Sequence, residues 1–193
     1  LQESQHVFID HGYALAQPLP PRRLRLLEVG FGTGLNALLT WARAERERLP
    51  VSYTTLEAYP LPPEFAERLN YPSRINAPGV DAVFAALHDG SWGVPKSFGT
   101  YFTFLKLHIR LQDFQLNAFF DLIYYDAFSP NVQPELWTRE IFDGLSHRLP
   151  DGGLLLTYCT KGQVKRNLRA AGFIVEELPG PPGKREITRA YKP

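Results

Sequence analysis

Residues 28–36 read EVGFGTGLN and decide the fold of this chain of 193 residues. An apolar run, LRLLEV at residues 24–29, leads into the glycines and predicts a buried strand, and residues 35–48 follow with the apolar spacing of a helix. Glycines between a strand and a helix permit a tight turn and let the backbone approach a ligand closely. A plain strand–helix turn gives the same pattern, so the loop alone is a weak signal.

The rest of the chain alternates between strand-like and helix-like patterns. The predicted strands are residues 24–29, 51–56, 102–111, 120–125, 154–158, 173–178 and 186–191, and further helices are predicted at 62–69, 134–149 and 162–171. Residues 6–10 (HVFID) are expected to add a short strand, and residues 73–99 follow no clear pattern. The alternation predicts an α/β fold with a mostly parallel seven-stranded sheet, one antiparallel strand and helices on both faces.

Composition places the chain among soluble globular proteins. Hydrophobic residues make up 44% and charged residues 21% of it, and no apolar run is long enough to span a bilayer. The single cysteine, Cys159, excludes an internal disulfide and a cysteine-rich zinc site. We therefore expect a cytoplasmic protein without a metal. The chain contains no methionine, so we expect further residues upstream of Leu1.

A proline-rich stretch, QPLPPRR at residues 17–23, is unsuited to a helix or a central strand. It predicts a division of the chain into an N-terminal appendage, residues 1–23, and a single domain, residues 24–193.

Three acidic residues are expected at successive strand ends on one edge of the sheet. Glu28 precedes the first glycine, Glu57 closes the second predicted strand, and Asp113 follows the third. A carboxylate in the position of Glu57 can bind both hydroxyls of a ribose. Carboxylates repel phosphates, so this set favours a cationic nucleoside cofactor over a dinucleotide. Each acid alone can equally be a surface carboxylate or a helix cap.

The fourth predicted strand runs into DAFSP, residues 126–130. Substrates bind at such strand ends, which would place Asp126 beside the cofactor with Phe128 and Pro130 as an apolar wall. The alternative is a loop in which Asp126 caps backbone amides. Further on, residues 161–192 carry eight basic residues against three acids. This excess would attract a phosphate backbone or form an ordinary solvated surface.

Five segments together resemble one family. They are LEVGFGTGLNALLTW (27–41), TTLEAYPL (54–61), YYDAFSP (124–130), PELWT (134–138) and TYCTKGQVKRNLRAAGFIVEELPGPPGKREI (157–187). They resemble the methyltransferase part of the MnmC family and its stand-alone form, MnmD. The segment QESQHVFI at residues 2–9 resembles the part that these proteins carry before the glycine loop.

The resemblance implies a Rossmann-like class I methyltransferase fold and S-adenosyl-L-methionine as cofactor. It implies methylation of the aminomethyl group of 5-aminomethyl(-2-thio)uridine at the wobble position of tRNA. Nothing in the chain corresponds to the flavin-dependent oxidase domain of MnmC, so no FAD is expected. The expected partner is tRNA, without a membrane, and a monomer is favoured.

The resemblance also implies roles for residues. Cofactor binding falls to Glu28, Gly30, Gly32, Gly34, Asn36 and Glu57, with Asp113 expected near the adenine. Asp126 is expected to be catalytic, facing the target amine. Contact with the uridine or with tRNA is expected from Phe128, Pro130, Tyr158, Lys161, Lys165, Arg166, Lys184 and Arg185. The chain departs from the family at Ile187, where members commonly carry methionine.

Three alternatives remain open. The chain can be a methyltransferase for another amine or RNA substrate, for which the glycine loop would be unchanged. It can also be a non-catalytic RNA-binding module on the same fold, which measurable cofactor affinity would argue against. A nicotinamide dehydrogenase ranks third, because its loop normally has the spacing G-x-G-x-x-G.

Overall fold

The central strands Leu24–Val29 and Leu122–Tyr125 are buried on both faces, apart from Arg25, as required of strands that helices cover on both sides. The computed structural model describes residues 1–16, 23–66, 68–115 and 118–193, and within them eight strands form one sheet. The strands are β1 (Leu24–Val29), β2 (Val51–Glu57), β3 (Lys96–Phe98), β4 (Phe102–His108), β5 (Leu122–Tyr125), β6 (Leu154–Thr157), β7 (Ile174–Pro179) and β8 (Glu186–Tyr191).

The sheet order is β3-β4-β2-β1-β5-β6-β8-β7. Strands β4, β2, β1, β5 and β6 pair in parallel, whereas β3 is antiparallel to β4 and β8 is antiparallel to both β6 and β7. The predicted α/β fold with a mostly parallel sheet is confirmed. The count of seven strands with one antiparallel strand was wrong, because β3 is too short, at three residues, to leave an alternating pattern.

Helices cover both faces of the sheet. They are α1 (Gln2–Ser4), α2 (Leu35–Glu47), α3 (Pro63–Ala66), α4 (Val80–Leu87), α5 (Arg139–Ser146) and α6 (Gly162–Ala170), with single-turn 3₁₀ helices at Tyr13–Leu15, Pro72–Arg74, Leu111–Asp113 and Pro134–Trp137. Leu24 and Leu26 of β1 belong to the core shared with α2 and α4, and Leu27 belongs to the core shared with α5 and α6. No helix within these ranges is long and apolar enough to cross a membrane.

The helix predicted over 134–149 is interrupted. A 3₁₀ turn ends at Trp137, and α5 starts anew at Arg139. Thr138 separates the two because its backbone is extended and its hydroxyl accepts a hydrogen bond from the Ile141 N–H, which makes it the N-cap of α5.

The short strand predicted at residues 6–10 was wrong. Gln5–Asp10 is π-helical and continues α1, and together they form the N-terminal helix, residues 2–10. Val7, Phe8 and Ile9 are all at most 2% exposed, and the Phe8 ring lies 5.0 Å from that of Tyr124. Val7 and Phe8 pack in the core with residues of the sheet, and Ile9 packs against α2. A helix can bury three consecutive side chains in this way, whereas a strand would point them alternately to opposite sides. The linker predicted at 17–23 lies almost wholly outside the described residues, so the domain division stays a prediction.

The last strand reverses the chain direction. Tyr191 of β8 pairs with Leu154, the first residue of β6, so β8 ends at the edge where the parallel strands begin. The turn between β7 and β8, residues 180–185, lies at the opposite edge, where the parallel strands end. This places Lys184 on the same edge as the glycine loop.

Candidate functional site

A cleft of about 640 Å³ opens at the carboxyl ends of the parallel strands. The chain leads outward from β1 to β2 and β4 and then resumes at β5 on the other side of β1. The cleft therefore lies at the switch point of strand order, where α/β sheets bind ligands. Its lining includes residues that follow β1, β2, β4 and β5, together with Glu3, Ser4 and Phe8 of the N-terminal helix.

The glycine loop forms the floor of this cleft. Gly30 has φ +93°, and a Cβ on it would lie 2.6 Å from the backbone oxygen of Asp126, so only glycine fits there. Gly32 has φ +50° and no atom within 4 Å of a Cβ position, which leaves open space above its backbone. Gly34, at φ +71°, is the N-cap residue of α2. The loop thus packs tightly against β5 on one side and presents bare backbone to the cleft on the other.

Glu57 lies where sequence analysis expected it, at the end of β2 and in the cleft lining. Its Oε2 accepts the Gly32 N–H at 2.9 Å and its Oε1 accepts the Tyr59 N–H at 2.8 Å. These two bonds fix the carboxylate while each oxygen keeps a further lone pair for a ligand hydroxyl.

Asp113 does not line the cleft. Strand β4 ends at His108, earlier than predicted, and Asp113 closes the 3₁₀ turn that follows, with its carboxylate 2.7 Å from Arg110 Nε. Arg110, Leu111 and Gln112 line the cleft instead. The geometry therefore favours these three over Asp113 at the end of the cleft beyond β4.

Glu28 lies beneath the cleft and outside its lining. It is fully buried on the α2 face of β1, where Thr55 and Tyr124 are its strand neighbours. Neither carboxyl oxygen makes a well-formed hydrogen bond within the described residues, although Thr55, Asn36 and Tyr53 lie near it. Burial raises the pKa of Glu28 to about 8, against a smaller opposing effect of Thr55. At neutral pH the group is therefore mostly an uncharged acid.

Asp126 is the carboxylate exposed to the cleft at the end of β5. The Asn36 Nδ2 donates to its Oδ2 at 2.8 Å. Burial raises the pKa of Asp126 to about 7, the Asn36 hydrogen bond lowers it, and the charges of Glu3 and Lys184 act in opposite directions. A carboxyl with a pKa near 7 is suited to accept a proton from a substrate at physiological pH.

The two aromatic residues expected at the substrate, Phe128 and Tyr158, both line the cleft. Phe128 is 60% exposed and lines the cleft, and Tyr158 lines it with its hydroxyl donating to the Ala127 carbonyl at 2.8 Å. Pro130 lines a shallower neighbouring depression beside Lys161. Tyr125 is fully buried and donates to the Leu136 carbonyl, so it is a core residue.

Most of the predicted basic residues have partners within the chain. Lys165 lies 2.6 Å from Glu177, Lys184 lies 2.5 Å from Glu3, and Lys161 binds Asn131. Arg166 donates to Gln163, and Arg185, with its side chain 94% exposed, lies 3.7 Å from Glu186. Lys165, Lys184 and Arg185 therefore face carboxylates in the free protein, whereas Lys161 and Arg166 bind uncharged side chains. The Arg185 side chain is far more exposed than those of Lys165 and Lys184.

Sequence reasoning missed Glu3, Ser4 and Phe8 as cleft residues, because it treated the first residues as an appendage. The only available signal was the resemblance of QESQHVFI to a family segment. Within the described ranges, no group of three or more His, Cys, Asp or Glu residues is placed to hold a metal ion.

Known proteins resemble this chain in sequence and in fold. Residues 101–193 match the model of a family described as S-adenosyl-L-methionine-dependent methyltransferase. Two proteins named tRNA 5-methylaminomethyl-2-thiouridine biosynthesis bifunctional protein MnmC are similar over nearly the whole chain. The one from Pseudomonas fluorescens is 30% identical over 200 residues, which is 98% of this chain and 30% of that protein. The one from Ectopseudomonas mendocina is 33% identical over 198 residues, covering 97% of this chain and 30% of that protein.

The chain thus spans less than a third of the length of these curated relatives. Among solved structures, that of MNMC2 from Aquifex aeolicus superposes with a TM-score of 0.67 at 24% identity, covering 89% of this chain and 55% of that one. This likeness supports the fold.

Proposed function

The chain belongs to the S-adenosyl-L-methionine-dependent methyltransferases, and on that premise we propose that it methylates the aminomethyl nitrogen of 5-aminomethyl(-2-thio)uridine at the wobble position of tRNA. The observation that carries the proposal is Asp126, a cleft carboxyl with a pKa of about 7 that Asn36 orients. An amine attacks only in its neutral form, and a carboxylate with a pKa near 7 can take up the proton that the amine loses. The tRNA substrate in this proposal is inferred from the names of the MnmC relatives.

The cleft residues fit the cofactor. The open space above Gly32 admits a ligand against bare backbone, and Glu57 offers fixed acceptor oxygens for ribose hydroxyls. Gly30 and Asn36 line the same part of the cleft, and Gly34 is the N-cap residue of α2 next to them. When bound, the cofactor supplies an electrophilic sulfonium methyl group, which the acceptor nitrogen takes up.

The remaining cleft residues act on the acceptor. Asp126 accepts a hydrogen bond from the amine, orients its lone pair and takes up its proton. Exposed Phe128 and the half-buried Tyr158 provide apolar faces on which a uridine base can stack. Arg185, Arg166, Lys161, Lys165 and Lys184 would contact tRNA phosphates, which makes the affinity sensitive to salt.

The test is methyl transfer from labelled S-adenosyl-L-methionine to two matched tRNAs, one with wobble 5-aminomethyluridine and one with plain uridine, followed by nucleoside analysis. Label recovered as 5-methylaminomethyluridine from the first tRNA alone is the expected result. Label in both tRNAs, or in another nucleoside, would indicate a different acceptor. Cofactor binding without transfer to either would contradict the proposed substrate and leave the family assignment intact.

A further inference from the structure

An ion pair between Glu3 and Lys184 joins two sides of the cleft that also contains Asp126. Glu3 Oε1 of the N-terminal helix lies 2.5 Å from Lys184 Nζ of the β7–β8 turn. The same Lys184 ammonium lies 4.6 Å from the centroid of the Tyr158 ring. A cation is thus held between a carboxylate and an aromatic face, which is the combination that proteins use to bind ammonium groups.

This cation site adjoins the base. Glu3, Tyr158, Lys184 and Asp126 all line the one cleft. The charge of Glu3 raises the pKa of both Asp126 and Tyr158, and that of Lys184 lowers the pKa of Asp126, so these groups lie within electrostatic reach of one another. The Tyr158 hydroxyl is tied to the Ala127 carbonyl, one residue from Asp126, which fixes the ring face beside the carboxyl.

We infer that Glu3 and the ring face of Tyr158 bind the protonated amine of the methyl acceptor, at the place that the Lys184 ammonium occupies in the free protein. The inference rests on the proposed function, since it requires an acceptor that carries a primary amine. It makes Glu3 a residue that selects the acceptor, next to the base.

The proton balance of the site follows. The acceptor enters as an ammonium ion and displaces Lys184 from Glu3, and Lys184 becomes available to a tRNA phosphate. One N–H bond of the ammonium then breaks, its proton forms an O–H bond on the Asp126 carboxylate, and the electron pair stays on nitrogen. The nitrogen lone pair would then form the new N–C bond while the bond between the methyl carbon and the sulfonium sulfur breaks and leaves its electron pair on sulfur, which gives neutral S-adenosylhomocysteine. The positive charge returns to nitrogen, so Glu3 faces a cation before and after the reaction.

Stability alone is a weak explanation for the Glu3–Lys184 pair. The two side chains are 53% and 29% exposed, and ion pairs of such exposure contribute little to folding because solvent screens them. Solvent would not weaken a contact between Glu3 and a bound ligand in the same way, because a bound tRNA would exclude water from this site.

The test compares the affinity of the full chain for two tRNAs, with 5-aminomethyluridine or plain uridine at the wobble position, in the presence of S-adenosylhomocysteine. The wild type should bind the aminomethyl tRNA about tenfold more tightly, as expected for a hydrogen-bonded charged group. Glu3→Gln should remove most of this preference, and Glu3→Asp should retain part of it. Asp10→Asn is the matched control, because Asp10 lies on the same helix, bonded to Gln5 and outside the cleft lining.

The outcomes separate the possibilities. If Glu3 only held the N-terminal helix in place, its substitution would weaken the binding of both tRNAs equally and leave the preference for the aminomethyl tRNA intact. That result would overturn the inference. Wild-type methyl transfer without any preference in binding would also overturn it. A wild type that transfers no methyl group to the aminomethyl tRNA would refute the proposed function itself and the inference with it.

Discussion

The side-chain amide of Asn36 donates to the carboxylate of Asp126 at 2.8 Å and so joins the first turn of α2 to the end of β5. Asn36 is itself 4% exposed, and its own oxygen has no partner among the described residues. The bond therefore fixes the direction of the Asp126 carboxylate from below the cleft. It also stabilises the charged form of Asp126 in a buried place.

Loss of this bond should shift the pH dependence of methyl transfer. The Asn36 hydrogen bond lowers the pKa of Asp126, which stands at about 7, so Asn36→Ala should raise that pKa. Because the base form is the active one, the acid limb of the kcat/KM profile should move to higher pH, and activity should fall more at pH 6 than at pH 8.5. Thr40→Ala is the control on the same helix, since Thr40 bonds the Asn36 carbonyl and does not reach Asp126. An equal fall at all pH values would contradict the role of the bond.

Asp126→Asn should strongly slow methyl transfer and leave cofactor binding unchanged. The amide keeps the size of the carboxyl and can still accept from Asn36, but it cannot take a proton, so single-turnover transfer should fall about 10²- to 10⁴-fold. Cofactor affinity, measured by calorimetry, should remain near that of the wild type. Asp121→Asn is the matched variant, because Asp121 lies at the other end of the same strand, 2.6 Å from Arg25. Near-normal transfer by Asp126→Asn would remove the base from the mechanism.

Two glycine substitutions should separate folding from cofactor binding. A Cβ at Gly30 would overlap the Asp126 carbonyl oxygen at 2.6 Å, so Gly30→Ala should lower the melting temperature strongly, with a loss of about 2–4 kcal/mol. Gly32→Ala meets no atom within 4 Å and should cost only about 1 kcal/mol for its positive φ. Its methyl group would enter the cleft, so cofactor affinity should fall although the protein stays folded. Thermal unfolding and calorimetry distinguish the two, and equal melting temperatures would contradict this account.

Glu28 should make the protein less stable as the pH rises. Its pKa is raised from 4.5 to about 8 in the folded state, so between these values the unfolded chain has lost the proton that the folded chain retains. Its contribution to stability is complete below pH 4.5 and declines toward pH 8, at up to about 1.4 kcal/mol per pH unit. Glu28→Gln should therefore gain stability relative to the wild type as the pH rises from 5 to 8, measured by urea unfolding. Glu64→Gln, at an exposed site, should show no such trend. A difference in unfolding free energy between Glu28→Gln and the wild type that does not change with pH would contradict a protonated Glu28 in the folded protein.

Arg185 should contribute more than Lys165 to the salt dependence of tRNA binding. The Arg185 side chain is 94% exposed, whereas that of Lys165 is 12% exposed and lies between Glu177 and Glu186. Removing one side chain that contacts a phosphate reduces the slope of log Kd against log salt concentration by about one unit, so Arg185→Gln should approach that change. Lys165→Gln should change the slope less, because its charge is already balanced. The opposite order would mean that tRNA rearranges the Lys165 ion pairs.

Local patterns were sufficient to predict the cleft floor. The run from β1 through the glycine loop to α2 is contiguous in sequence, Glu57 is the last residue of β2, and Asp126 directly follows β5. The strand ends meet at one edge because parallel strands share a direction. Each of these segments could therefore be placed at the cleft from its own local sequence pattern.

The structure departs from the sequence-based expectations where the positions of residues depend on distant contacts or on strand length. Glu28 shares its strand face with Leu24 and Leu26, so the two-residue period of a strand directs it into the core and not toward a ligand. Strand β4 ends at His108, and the extra turn carries Asp113 past the cleft. The N-terminal helix depends on its burial against β5 and β6, and the approach of Glu3 to Lys184 joins residues 181 positions apart. No local pattern carries such information.

The reversal of the chain at β8 has a practical consequence for handling the protein. Glu3 and Ser4 line the cleft, whereas Lys192 is bonded to Gly152 and Gly153 at the far edge of the sheet. A purification tag or fluorescent label attached close to Glu3 would crowd the entrance that the proposed tRNA substrate would use. The same addition after Lys192 would project from the opposite side of the molecule, and binding assays are best designed around that end.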